Sequence, residues 1–335
     1  MLMVLAALYY AFLAIWSGSS PPHVVAGIAA LAPYWLVYAL LLVNTAVCLW
    51  RRLPALRREL ERDRRSGARA LGTFFFHGAF FLVASGFLLT LAGRQEAKVW
   101  VALGEEYTAR PDQILSQSAP RALAGGVPPL AFRLERLAPE FWGDELLFTR
   151  YEAALVFPDG RARTTRINRP LWLGPATFLR LSGYGFAPRY ELVNADGLRI
   201  DSAFVKLNVF PPGQRDSFSV PGLPHRITVE LYPDLDFEDG APVTRSLVLA
   251  RPGVAVDVAR GRIALGGAVL RAGETFGYEG LRLGFPEVRP WAELTEVWDP
   301  GAPVLLAGYL LGLAGLVLKV ALRPRPGAAA VETAA

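Results

Sequence analysis

LGTFFFHGAFFLVASGFLLTLAG, residues 71–93, is the stretch whose reading decides the fold. It carries no charged residue and is long enough to cross a bilayer, for which about 20 residues at 1.5 Å rise each suffice. His77 lies inside it, one of three histidines in the chain. An imidazole in hydrocarbon is costly unless it bonds to a neighbour or coordinates a metal, so His77 is a candidate functional residue. The alternative is a neutral histidine bonded to an adjacent helix, because buried polar groups ordinarily find such a partner.

The composition agrees with a membrane protein. The hydrophobic fraction is 53% and the mean hydropathy +0.30, above the range of ordinary soluble domains. Yet 32 glycines, 26 prolines and 19% charged residues mean that much of the chain is not bilayer helix. The net charge of +5 is supplied almost entirely by arginines clustered beside apolar segments. That is a signal of membrane orientation and not a nucleic-acid footprint. The single cysteine, Cys48, excludes an internal disulfide, a CxxC redox pair and a thiolate zinc site.

Working outward toward the N-terminus, residues 51–70 (RRLPALRRELERDRRSGARA) carry eight arginines opposed only by Glu59, Glu61 and Asp63. A segment this basic is expected on the cytoplasmic side, as a solvated amphipathic connector or against anionic lipid. Residues 24–50 form the expected second span. Tyr34, Trp35 and Tyr38 suit its interfacial belt, and Asn44 and Thr45 could bond across helices. Residues 1–23 hold an apolar run, MLMVLAALYYAFLAIW, closed by the turn-rich SGSSPP. A basic n-region and an A-x-A-like site are missing, so the reading is an uncleaved first helix and not a signal peptide.

The span 71–93 then runs outward, with His77 about 9 Å from its cytoplasmic end. Ala84 and Ser85 follow at helical spacing, and Phe74 and Phe81 flank the histidine. A small-residue groove beside an aromatic-walled histidine could seat a flat apolar ligand or another helix.

From residue 94 to 298 the period changes to two. FRLERL, ALVFPDGRARTTRI, AFVKLNVF, RITVELY and SLVLARPGVAVDV read as strands, punctuated by Pro158-Asp159-Gly160, Asp196-Gly197 and Glu238-Asp239-Gly240. The expectation is one all-β extracytoplasmic domain, a sandwich or distorted barrel, set between the third and fourth helices. Residues 299–322 enter a fourth span through Asp299-Pro300-Gly301, with Gly308, Gly312 and Gly315 as a face for close packing. Lys319, Arg323 and Arg325 mark its inner end, and residues 323–335 read as a cytoplasmic tail. The predicted fold class is thus an integral membrane protein of four transmembrane helices with a large all-β domain.

Several segments carry a family resemblance. PYWLVYALLLVNTAVCLWRR, FFFHGAFFLVASGFLLT followed by GEEY, RINRPLWLGPATFLRLSGYG, and LRLGFPEVRPWAELTEVWDPGAPVLLAGYLLGLAGLVL together resemble the ResB-like family of cytochrome c biogenesis proteins. That family belongs to the haem-attachment machinery known as system II. The chain departs from its pattern in a short outer domain and in a turn after the first span without Gly-Thr…Pro-Gln.

The resemblance implies that His77 is an axial ligand of haem b within the cell inner (cytoplasmic) membrane, with the β-domain on the periplasmic or outer side. It also implies a CcsA-type multi-span partner, which supplies the second transmembrane histidine, and apocytochrome c as the protein served. Phe74, Phe81, Ala84 and Ser85 would wall the haem. Independently, imidazole commonly holds haem iron, and one chain with one intramembrane histidine supplies one axial ligand. A bis-histidine site therefore needs a second chain.

The remaining candidates are weaker. His23 reads as an interfacial cap, His225 as a surface or turn residue, and Asp234, Asp236, Glu238 and Asp239 as a solvated acidic turn without EF-hand spacing. No nucleophile elbow, P-loop or HExxH motif is present, so no catalytic constellation is expected. The alternative function is a membrane-anchored β-domain that serves as a binding or assembly module for a redox complex, without haem ligation.

Overall fold

The computed structural model describes residues 32–118, 129–142, 148–207 and 213–322. The expected first span, His23 and the basic tail from residue 323 lie outside the described residues. The chain divides into two compact units, one comprising Met1–Leu91 with Pro300–Ala335 and the other Ala92–Asp299.

The first unit is helical: α1 spans Ala32–Arg62, α2 spans Arg64–Gly93 and α3 spans Ala302–Ala321. Among the described residues, three helices are long and apolar enough to cross a membrane. The basic stretch expected as a connector is itself helical. Its alanines, leucines, glutamates and arginines are good helix formers, and α1 continues through Pro54 to Arg62. The break comes at Asp63, whose Oδ2 accepts hydrogen bonds from the Arg65 and Ser66 backbone N–H groups at 3.1 and 3.0 Å. It thereby caps the start of α2.

Helices α2 and α3 approach closely through glycine. A Cβ placed on Gly315 would stand 2.6 Å from the Phe76 nitrogen and 2.7 Å from the Gly72 oxygen. One placed on Gly308 would meet the Val83 nitrogen at 3.0 Å. The backbones touch because no side chain intervenes, the arrangement expected where helices pack without a hydrophobic driving force.

The second unit is mostly β. In chain order its strands are β1 (Gln95–Ala102), β2 (Glu106–Tyr107), β3 (Ile114–Ser118), β4 (Phe132–Phe141), β5 (Phe148–Val156) and β6 (Ala162–Arg166). There follow β7 (Leu171–Trp172), β8 (Thr177–Asn194), β9 (Arg199–Phe204), β10 (Arg215–Ser219), β11 (His225–Tyr232) and β12 (Leu235–Glu238). The last are β13 (Ala241–Thr244), β14 (Gly253–Arg260), β15 (Ile263–Arg271), β16 (Thr275–Tyr278) and β17 (Leu281–Trp298).

The long strands β8 and β17 pair antiparallel from Leu281 opposite Asn194 to Trp298 opposite Thr177. Around them runs the order β3-β1-β17-β8-β7, with β16 and β9 added at the sides. Separate four-stranded sheets run β2-β4-β5-β6 and β10-β11-β14-β15, and β12-β13 is a hairpin. Its turn has Asp239 and Gly240 at φ of 50° and 82°, the paired positive values of a tight hairpin.

A single apolar cluster, from Val99 and Leu134 through Leu294, joins residues of all three larger sheets. Trp291 is buried, and its indole N–H reaches the Leu207 carbonyl at 2.9 Å. SLVLA, at residues 246–250, is not a strand as its composition suggested. On either side of it, Arg245 N–H is bonded to the Asp234 carbonyl and Leu235 N–H to the Arg251 carbonyl. Those bonds hold the segment against the β12–β13 hairpin, and Leu247 is buried.

Candidate functional site

His77 sits three turns into α2, half-buried within the chain. Its Nδ1 lies 2.7 Å from the backbone oxygen of Thr73, one turn earlier. A carbonyl oxygen can only accept, so Nδ1 carries a proton, and in the neutral form of the ring the lone pair is on Nε2. This bond orients the imidazole from within its own helix. The ring also meets the Phe76 ring edge-on at 6.2 Å, and Phe76 in turn meets Phe80 at 5.1 Å. Lys319 of α3 places its ammonium 5.9 Å from the Phe76 ring centre.

Phe74 and Phe81 stand on the same face of α2 two turns apart, bracketing His77 in sequence. Together with Ala46, Leu49, Trp50 and Leu53 of α1 they line an apolar cleft of about 230 Å³. Trp50 and Leu53 bracket Arg51 and Arg52, whose guanidinium groups are exposed. An aromatic, apolar cleft suits a flat apolar ligand.

The other residues singled out from the sequence are placed differently. Ala84 is buried, and its carbonyl accepts a 2.7 Å hydrogen bond from the Tyr38 hydroxyl. Ser85 is half-buried. Neither lines the cleft, and His77 is beside it and not in its wall. Sequence reasoning missed the α1 side, namely Ala46, Leu49, Trp50 and Leu53. A phase calculation on α1 would list them on one face, but only the packing of α1 on α2 reveals which face is used.

In the β-rich unit His225 is not a surface or turn residue. It opens β11, is 6% exposed, and its Nε2 lies 2.9 Å from Glu279 Oε2. Glu279 also receives Arg260 at 3.2 Å. In the acidic stretch, Asp234 is ion-paired with Arg251 at 2.8 Å and Asp236 with Arg245. These arginines, distant in sequence, answer the carboxylates. Among the described residues no group of three or more His, Cys, Asp or Glu side chains is placed to hold a metal ion.

No protein-family model matches the chain, and no curated protein matches it.

Proposed function

We propose that this chain is a cytochrome c biogenesis protein of the inner membrane. With a CcsA-type partner it binds haem as cargo, carries it outward and presents it to apocytochrome c. The observation that carries the reading is the oriented imidazole of His77, its Nδ1 tied to Thr73 and its Nε2 lone pair available, next to a cleft walled by Phe74, Phe81 and Trp50. The segments that resemble the ResB-like family support it.

Each element has a physical task. A fixed tautomer presents one axial donor to haem iron without reorganisation. The aromatic wall takes a macrocycle face. The cleft of about 230 Å³ is below the roughly 300–1,000 Å³ of a complete ligand pocket. Its remaining wall would come from the partner, together with the second axial ligand. Thioether formation needs haem and reduced thiols held in register, so positioning is the main contribution a protein can make. The chain brings no acid–base group of its own to that step.

Co-expression with a CcsA-type partner, purification and haem quantification test the reading. Haem is expected with the wild-type pair, and a His77→Ala chain that accumulates normally is expected to lose most of it. Added imidazole should restore part of the absorption spectrum. Unchanged haem content in the variant refutes the ligand assignment. A stable complex without haem would favour the alternative, an anchored assembly module, a role to which the intrahelical His77–Thr73 bond is equally suited.

A further inference from the structure

Among the buried polar side chains of the β-rich unit without a hydrogen-bond partner in the described residues are Gln95 on β1, Tyr107 on β2 and Glu296 on β17. They are 0%, 1% and 1% exposed. Strand pairing brings the first and last together. Ala97 stands opposite Glu296, and Gln95, two residues earlier on β1, shares that face, which makes it a diagonal neighbour of the carboxylate. Tyr107 comes from another sheet of the same core, and burial first, with Glu296 second, pushes its hydroxyl up.

Their surroundings are apolar. Leu179 of β8 pairs with Glu296, and Phe132 of β4 packs on the Tyr107 ring at 5.1 Å. The charges of the adjoining strands are turned elsewhere. Lys98 alternates to the other face of β1 and is bridged to Glu293, Arg180 of β8 is exposed, and Glu106 of β2 is exposed. Arg94 is engaged with Glu96 and Asp299. Tyr107 is therefore the one titratable group among these that faces Glu296, and no cation among the described residues is paired with it.

Amide, phenol and carboxyl groups cannot stay unsatisfied in a core without costing several hydrogen bonds' worth of free energy. Something small must complete them. A hard cation asks for about six to eight oxygen donors, and the three side chains offer four oxygens: Gln95 Oε1, the Tyr107 hydroxyl, and Glu296 Oε1 and Oε2. They also bring the Gln95 amide N–H groups and the Tyr107 O–H, which repel a cation. Water, which both donates and accepts, suits the mixture.

The geometry points to an internal water site in which Glu296 keeps its proton in the folded domain, so that the β-rich unit is loosened when that proton passes to bulk water. Burial pushes the Glu296 carboxyl from 4.5 to about 7. The sign follows from linkage: between those values the folded chain binds the proton and the unfolded chain does not. The contribution is complete below the unfolded value, declines as pH rises to about 7, and stays lost above it.

The test uses the full chain in detergent. Melting of the β signal by circular dichroism is followed from acid to alkaline pH for wild type and Glu296→Gln, the neutral isostere. The wild type is expected to melt lower as pH rises toward about 7, and the variant to lack that component. Infrared spectra of the wild type should show a protonated carboxyl band below neutrality that fades above it and is absent in the variant. Superimposable melting profiles overturn the proposal. So does a folded wild type whose acid-side spectrum lacks the band, a measurement that does not need the variant to fold. Added calcium that raises the alkaline melting temperature of wild type but not of the variant would make this a metal site instead.

Discussion

The Tyr38 hydroxyl donates to the Ala84 carbonyl at 2.7 Å, a bond between α1 and α2 across 46 positions of sequence. Its phenol ring also lies 6.1 Å from Phe87. This contact, with Phe74 and Phe81 against Leu49 and Leu53 further along, runs the two helices antiparallel and sets the width of the cleft beside His77.

Tyr38→Phe keeps the ring and removes the hydrogen bond. Interhelical bonds of this kind contribute about 0.6 kcal/mol on average and up to roughly 2. The variant is expected to melt slightly lower in detergent, and, if the cleft holds haem, to retain it less firmly on dilution. Thermal melts and haem retention on gel filtration check both.

Glycine positions on α3 should differ in tolerance. At Gly315 an added Cβ meets backbone atoms at 2.6 and 2.7 Å, whereas at Gly312 it meets only the Ala79 Cβ at 3.1 Å. Backbone cannot step aside without moving a helix, so Gly315→Ala is expected to cost about 1–3 kcal/mol and Gly312→Ala clearly less. Melting temperatures of the two single variants decide it.

The eight arginines between residues 51 and 69 are exposed, and none of them has an ion pair among the described residues. Helix α1 has 31 residues and so measures about 46 Å, close to the roughly 40–45 Å of a bilayer with its headgroups. Set across a bilayer, a helix of that length brings its last turns to headgroup depth. Neutralising Arg57, Arg58, Arg64 and Arg65 together is expected to remove a salt-sensitive stabilisation by anionic lipid, about 1 kcal/mol per residue. Melts in nanodiscs with and without phosphatidylglycerol measure it; equal melts in both lipids for the wild type would contradict it.

The helices and most hairpins were legible in the sequence because each depends on near neighbours. An uncharged run such as 71–93 makes a long helix in any packing, and Glu238-Asp239-Gly240 turns a chain wherever it stands. The basic stretch 51–70 reads as a connector because its charge dominates its composition, but charge does not oppose a helix; Asp63, by capping α2, places the break.

What depends on distant partners was hidden. His225 looked exposed from PGLPHRITVE, yet Arg260 opposite it on β14 and Glu279 on the turn after β16 enclose it. Glu296 in AELTEVW is a charged residue in a strand, and pairing with the buried Ala97 and Leu179 places it in the core.

By itself, then, the sequence determined that long apolar helices flank a mostly β domain and that His77 lies within one of those helices, since hydrophobic length and period are properties of consecutive residues. Only the tertiary structure decided that Phe74 and Phe81 share a cleft with Trp50, and that Glu296 sits unpaired in a core. Strand register and helix facing are settled by contacts between residues far apart in the chain, and no local pattern carries that information.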